Sequence, residues 1–336
     1  MRIALDAMGT DGHPGVEIQG ALAALRDLTS DLEVLLVGDA ARVEAELARQ
    51  RTVPSSRLRV VHAPERIGPG ESPATAIRRK PDSSIVRAIA LQREGEADAS
   101  VSAGSTGAMM AASLIILRPI AGVDRPTVAP VLPTAAAPVV MLDGGANVDA
   151  KPQHLVQWAR LGVVYAEDVL RRPRPRVGLL NIGEEPEKGD ERSVEAHRLL
   201  AASDLNFVGN IEGRDIIRGA CDVLVTDGFA GNVLLKFYES VAGFLVGLLE
   251  KEFETHEPSG ELRRAMRVLD YTEYGGAPLL GVNGISIICH GGSPPRAISN
   301  AIRVAVQAIE TRMLGHAARA MASAPAGAGA GRTEAL

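Results

Sequence analysis

Cysteine is nearly missing from this sequence: Cys221 and Cys289 stand far apart among 336 residues, in no CxxC arrangement. That argues against a disulfide scaffold or a cysteine zinc site and points to a reducing compartment. Aromatic residues make up 3% of the chain, so stacking platforms for single-stranded nucleic acid are scarce. Positive charge is not in excess either, since 36 Lys and Arg against 41 Asp and Glu leave a formal net charge of -5. A protein that tracks a phosphate backbone needs the opposite sign, so no nucleic-acid partner is expected. The first residues, MRIALDAMG, lack a basic stretch followed by an apolar signal core, so secretion is not indicated. From Ala99 to Leu117 no charge occurs, yet Ser, Thr and Gly fill the first half. That fits a strand entering a buried helix better than a membrane span. A cytoplasmic location is expected.

What is present is ordinary for a globular chain: 46% hydrophobic and 23% charged residues, long enough for one large domain or two modest ones. Short apolar runs at 2–6, 33–38, 57–62, 98–104, 138–145, 176–183, 206–210, 222–228 and 284–292 read as strands. Several are apolar on both faces, which is the pattern of a parallel sheet covered by helices. Helical patterns lie between them at about 15–27, 82–94, 152–170, 190–202, 231–254 and 296–314. This βα alternation predicts an α/β fold with a doubly wound, mostly parallel sheet. No composition break marks a second domain, so residues 1–315 are expected to form one α/β domain. The Ala/Gly-rich end, 316–336, is expected to be disordered.

In such sheets ligands bind beyond the carboxyl ends of the strands. Six strand ends carry small polar signatures: DAMGTDG (6–12), SAGSTGA (102–108), LDGGANVD (142–149), NIGEEPEKG (181–189), TDGFAGN (226–232) and CHGGS (289–293). Each alone is what a capped helix after a strand looks like. Six at one sheet edge predict a site. Ser105, Thr106 and Gly107 open one helix and Ser293 precedes another, so two helix starts could face one anion. The familiar nucleotide and hydrolase signatures are missing: no GxxxxGK[ST], no GxGxxG after the first strand, no GxSxG. The acidic residues copy no metal motif, and no metal or other cofactor is expected.

The blocks MRIALDAMG, SAGSTGA, LDGGANVDAKPQHLVQ, GLLNIGEEPEKGDE, GNIEGRDI, TDGFAGNVLLK and DYTEYGGAPLLGVNGISIICHG resemble the PlsX family of acyl-[acyl carrier protein]:phosphate acyltransferases, collinearly from Met1 to about Met313. The resemblance implies transfer of a fatty acyl group from acyl carrier protein to inorganic phosphate, for phospholipid synthesis. It also implies a homodimer, a peripheral contact with the inner face of the membrane, and a Rossmann-like α/β/α fold related to phosphate acetyl- and butyryltransferases. Isopropylmalate dehydrogenase has a related layered fold. The family usually reads MGGDHAP after its first strand; here Thr10 replaces a glycine and Gly12 reads as an insertion.

Phosphate needs no strong base to attack a thioester, and a thiol leaves readily, so positioning and oxyanion stabilisation carry the chemistry. By residue type, Gly104, Ser105, Thr106 and Gly107 are expected to hold phosphate, with charge from Lys151 or Lys188. Asn147, Asn181 or Asn232 is expected to orient the acyl carbonyl or the phosphate, with Asp143, His290 and Ser293 completing the set. Cys289 reads as packing, lacking a basic partner placed by motif.

The helix after TDGFAGN carries Leu234, Phe237, Tyr238, Val241, Leu245 and Leu248 at helical spacing, which predicts a dimer seam with core packing, with lipid contact as the other reading. Arg263, Arg264 and Arg267 form a patch suited to an acidic carrier protein, or an ordinary solvated face. A short-chain acyl-CoA acyltransferase, an NAD-dependent dehydrogenase of isopropylmalate type and a non-catalytic membrane scaffold remain alternatives at this point.

Overall fold

The runs at 3–5, 34–37 and 223–225 are fully buried. Such strands are stable only with cover on two faces. The computed structural model describes residues 1–28, 31–50, 56–68, 70–252 and 271–323. Its strands form two sheets. The first contains β1 (Arg2–Asp6), β2 (Glu33–Gly38), β3 (Leu58–His62), β4 (Ala99–Ser102), β5 (Thr127–Val128), β11 (Ala277–Leu280) and β12 (Ser286–Ile288), ordered β3-β2-β1-β4-β12-β11-β5. It is parallel from β3 through β12, and β11 runs antiparallel to both its neighbours. The second contains β6 (Val131–Leu132), β7 (Val139–Leu142), β8 (Val177–Leu180), β9 (Phe207–Ile211) and β10 (Val223–Val225), ordered β6-β7-β10-β8-β9. There only the β6–β7 pair is antiparallel.

The mostly parallel α/β architecture is as expected, but the strands divide between two sheets instead of filling one. The division falls at Ala129 and Pro130, where the chain leaves β5 and enters β6. Proline has no N–H with which to extend a ladder. The sheets stay tied there, because the Gly144 N–H donates to the Val128 carbonyl at 2.8 Å.

The helices are α1 (Gly15–Asp27), α2 (Ala40–Arg49), α3 (Pro73–Arg79), α4 (Ser84–Arg93), α5 (Thr106–Ile116), α6 (Pro152–Asp168), α7 (Glu191–Ala201), α8 (Gly213–Ile216), α9 (Gly228–Glu252), α10 (Pro295–Glu310) and α11 (Met313–Ala322). Trp158 and Tyr165 of α6 are fully buried, and burying a side chain of that size stabilises by roughly 2–3 kcal/mol. Gly162 brings α6 against the second sheet: a Cβ there would lie 2.6 Å from side-chain atoms of Leu142 and Val223. One core joins Ile3, Leu5 and Val101 of the first sheet with Val140, Leu142 and Val223 of the second. The tail is helical as far as Ala322 rather than disordered from 316, because Met313, Ala317 and Met321 bury one stripe of α11. Residues 324–336 lie outside the described residues, as do Arg263, Arg264 and Arg267.

Candidate active site

The six polar strand ends do not share one sheet edge. DAMGTDG, SAGSTGA and CHGGS follow β1, β4 and β12, which are neighbours in the first sheet. LDGGANVD, TDGFAGN and NIGEEPEKG follow β7, β10 and β8, neighbours in the second. A cleft of about 360 Å³ lies between the two groups. Thr106, Cys289, His290 and Ser293 line it from the first sheet, and Gly144, Gly145 and Asn232 from the second. Lys236 and Glu239 of α9 and the segment Tyr274–Ala277 also line it, with apolar side chains such as Val128, Val131 and Leu235 between. The two helix starts expected to share an anion do meet here, Thr106 opening α5 and Ser293 preceding α10.

Other expected residues build the walls without lining the cleft. The Ser105 hydroxyl accepts from the Ala108 N–H at 3.3 Å, which caps α5. The Gly104 N–H donates to the Ser102 hydroxyl at 3.0 Å. Ser102 in turn donates to Asp6 at 2.6 Å, and burial raises the Asp6 carboxyl above its ordinary pKa. The loop after β1 braces both neighbours: the Asp11 N–H donates to the Gly291 carbonyl at 2.9 Å. At Gly9 a Cβ would come within 2.7 Å of the Gly104 nitrogen, so only glycine permits that approach.

Asp143 is fully buried, and it organises the loop rather than facing ligand. Its Oδ1 accepts from the N–H groups of Val128, Gly145 and Ala146 at 3.2, 3.3 and 3.1 Å. Its Oδ2 accepts from the Asn147 N–H at 2.5 Å and the Asn147 side-chain amide at 3.0 Å. That amide also donates to the Pro126 carbonyl at 2.8 Å, so Asn147 is a strut and not a cleft residue. Asn181 serves its own loop, donating to the Lys188 carbonyl at 2.9 Å and accepting from the Ile182 N–H at 2.8 Å. Lys151 sits exposed at the N-cap of α6 and Lys188 exposed in the loop after β8; neither lines the cleft. The strand-end carboxylate of Asp227 is likewise engaged, pairing with Arg192 at 3.0 Å and capping Phe229 and Ala230.

The charge in the cleft comes from residues that motif reading passed over. Lys236 and Glu239 lie on α9, three residues apart and therefore on one face. TDGFAGNVLLK contains Lys236, but only the sheet order shows that its turn of helix reaches the cleft. His290 is exposed there, and its Nδ1 accepts from the Gly292 N–H at 3.1 Å. A neutral His290 bonded in this way carries its proton on Nε2 and is a donor at that atom. The Asn232 amide makes no hydrogen bond to another described residue. Burial pushes the Cys289 thiol up to about 12, so at neutral pH it is a packed thiol and not a nucleophile, as expected. Among the described residues no group of three or more His, Cys, Asp or Glu could hold a metal ion.

The sequence profile of the family described as "Fatty acid synthesis protein" matches residues 1–315. A phosphate acyltransferase from Desulforamulus reducens is 50% identical over 317 residues, covering 92% of this chain and 94% of that protein. Another from Desulfitobacterium hafniense is 51% identical over 321 residues, covering 93% and 95%. This chain belongs to that family. Among solved structures, a phosphotransacetylase from Streptococcus pyogenes superposes with a TM-score of 0.62 at 17% identity, covering 92% of this chain and 94% of that one. EutD phosphotransacetylase from Staphylococcus aureus gives 0.57 at 17% identity, covering 95% and 94%. At that identity the likeness is one of fold, and it agrees with the Rossmann-like reading.

Proposed function

We propose that the cleft binds inorganic phosphate and presents it to the thioester of a fatty acyl group carried by acyl carrier protein. The chain is a phosphate acyltransferase, and the observation that carries the site assignment is the meeting of two helix starts with Lys236. A phosphate oxygen attacks the thioester carbonyl carbon, the C–O bond forms, and the C–S bond breaks with its electron pair leaving on sulfur. The products are an acyl phosphate and the carrier thiolate, which takes up a proton from water. Thr106, Ser293 and Asn232 supply neutral hydrogen bonds to phosphate, and Lys236 offsets its charge. His290 donates from Nε2 to the oxyanion that develops on the carbonyl. Fixed donors aimed at developing charge need no reorganisation during the reaction. Arg263, Arg264 and Arg267 bind the acidic carrier protein in this reading, on the strength of their charge alone.

Lys236→Met and Ser293→Ala are each expected to lower kcat/KM for phosphate by about 100-fold, the low end for loss of one stabilising donor. Lys151→Ala and Lys188→Ala are expected to change it less than about threefold, since both lie outside the cleft. Unchanged phosphate kinetics in Lys236→Met and Ser293→Ala would remove this assignment.

The first turns of α9 belong to the core, with Leu234, Leu235 and Tyr238 packed on the second sheet. The helix is long and apolar enough over Gly228–Leu249 to cross a membrane by length and composition, but those packed turns, with Lys236 and Glu239 in the cleft, tie its first half to the protein. Its outer stripe is different: Phe229, Val233, Phe237, Phe244 and Leu248 are all at least half exposed. A stripe of this size on one helix face needs cover, and a second copy of the chain is the cover we favour. Replacing Phe237 and Phe244 together by glutamate is expected to turn a dimer into a monomer in sedimentation velocity. A dimer that persists but no longer binds anionic vesicles would assign the stripe to lipid.

A further inference from the structure

A second groove, of about 340 Å³, opens on the other side of the ridge that bounds the cleft. One wall is a stripe of α5, Gly107, Met110, Ala111 and Leu114, which recur at helical spacing. Pro126, Ala146 and Leu279 face them. Consecutive residues divide the two cavities: Thr106 lines the cleft and Gly107 the groove, as do Gly145 and Ala146. The groove therefore begins within one residue of the anion cradle. It runs away along the helix for about 10 Å, taking about 1.5 Å per residue from Gly107 to Leu114. No residue of α5 is charged, although Leu114 is 42% exposed. The two charged residues that line the groove are already engaged, Arg125 with Asp149 at 2.6 Å and Asp124 with the Gln157 amide at 2.9 Å. An uncharged, partly open stripe starting beside the reacting centre calls for an apolar ligand continuous with it.

We infer that this groove holds the acyl chain of the donor, with the thioester over the ridge at 106–107 and 145–146 and phosphate on the cleft side. The inference rests on the acyl-transfer reading above and adds the determinant of chain length to it. Met110, Ala111 and Leu114 then select the donor, because each methylene moved from water into the groove favours the longer chain.

The test is the ratio of kcat/KM for hexadecanoyl over butanoyl carrier protein, measured with saturating phosphate on the full chain. Ala111→Phe fills the groove and is expected to lower that ratio by about tenfold or more, the equivalent of roughly two buried methylenes. Leu114→Ala opens the same wall and is expected to lower it by about threefold through lost contact. The ratio separates groove occupancy from folding, since a damaged fold depresses both donors alike. A ratio unchanged in both variants would overturn the inference. So would a shift in oligomeric state on Leu114→Glu and Ile115→Glu with the ratio unchanged, which would make this face an interface between copies. Failure of the wild-type protein to form any acyl phosphate would instead overturn the reaction itself.

Discussion

Replacing Asp143 by alanine is expected to destabilise the protein by about 3–5 kcal/mol and to abolish measurable acyl transfer. The carboxylate collects five N–H groups within 3.3 Å while fully buried, so its removal leaves those donors facing a void. Burial raises its pKa above the ordinary value, and the hydrogen bonds from Ala146 and Asn147 oppose that rise. The loop it holds, residues 143–147, carries Gly144 and Gly145 of the cleft and Ala146 of the groove. The start of α9 rests on the same loop: a Cβ on Gly228 would come within 2.8 Å of the Asp143 carboxylate. Loss of the carboxylate therefore moves both walls of the site at once. Asp143→Asn keeps the shape but sets an N–H2 group against donors, and is expected to cost about 2–3 kcal/mol. Urea titration monitored by circular dichroism reads both values from the shift in midpoint at constant slope. A change below about 1 kcal/mol in the alanine variant would show that the loop stands without its carboxylate.

The second large effect concerns Glu17, whose side chain is fully buried on α1. One oxygen accepts from the Thr10 N–H at 2.7 Å, and Oε2 has no partner, as is also true of the Thr10 hydroxyl. Burial raises its pKa from 4.5 to about 7, and the nearby Asp6 adds to the rise while the hydrogen bond from the Thr10 N–H opposes it. A carboxyl whose folded pKa lies above its unfolded one contributes stability at low pH that is lost as pH rises. Below about 4.5 it is protonated in both states; between about 4.5 and 7 only the unfolded chain releases the proton. Stability is thus expected to fall through that window by about 3 kcal/mol from this group, at roughly 1.4 kcal/mol per unit. Glu17→Gln keeps a carbonyl for Thr10 and removes the titration. It is expected to match the wild type near pH 4 and to exceed it by about 3 kcal/mol above pH 8. The difference between the two stability profiles isolates Glu17 from every other titrating group. Parallel profiles would rule out an ionisation linked to folding at this position.

The strands with strong apolar runs were legible without coordinates, as were α1, α4, α6 and α10, each of which buries a broad apolar face, and α7 and α9, whose apolar residues recur at helical spacing. The missed elements lack that signal. β5 and β6 are two residues each and are separated by Ala129 and Pro130, so neither is long enough to show a period. In α2 only Val43 is buried, leaving charged residues to dominate its pattern. β11 contains Pro278, which reads as a breaker, yet it pairs with β12 and β5.

Local chemistry is what the sequence determined by itself: the α/β class, the family, and the polar strand ends that start helices. A helix cap or a buried strand depends on residues a few positions apart, and these lie together in the chain. The membership of the cleft was decided only in three dimensions. Asp143, Asn147 and Asn181 look like ligand groups in the chain, but neighbouring N–H and carbonyl groups of their own loops engage them first. Lys236 looks like a surface lysine, yet the order β6-β7-β10-β8-β9 sets α9 across from Thr106 and Ser293. Residues as distant as 106, 236 and 293 converge because two sheets meet at Ala129 and Pro130, a step whose consequence is long-range and leaves no periodic trace.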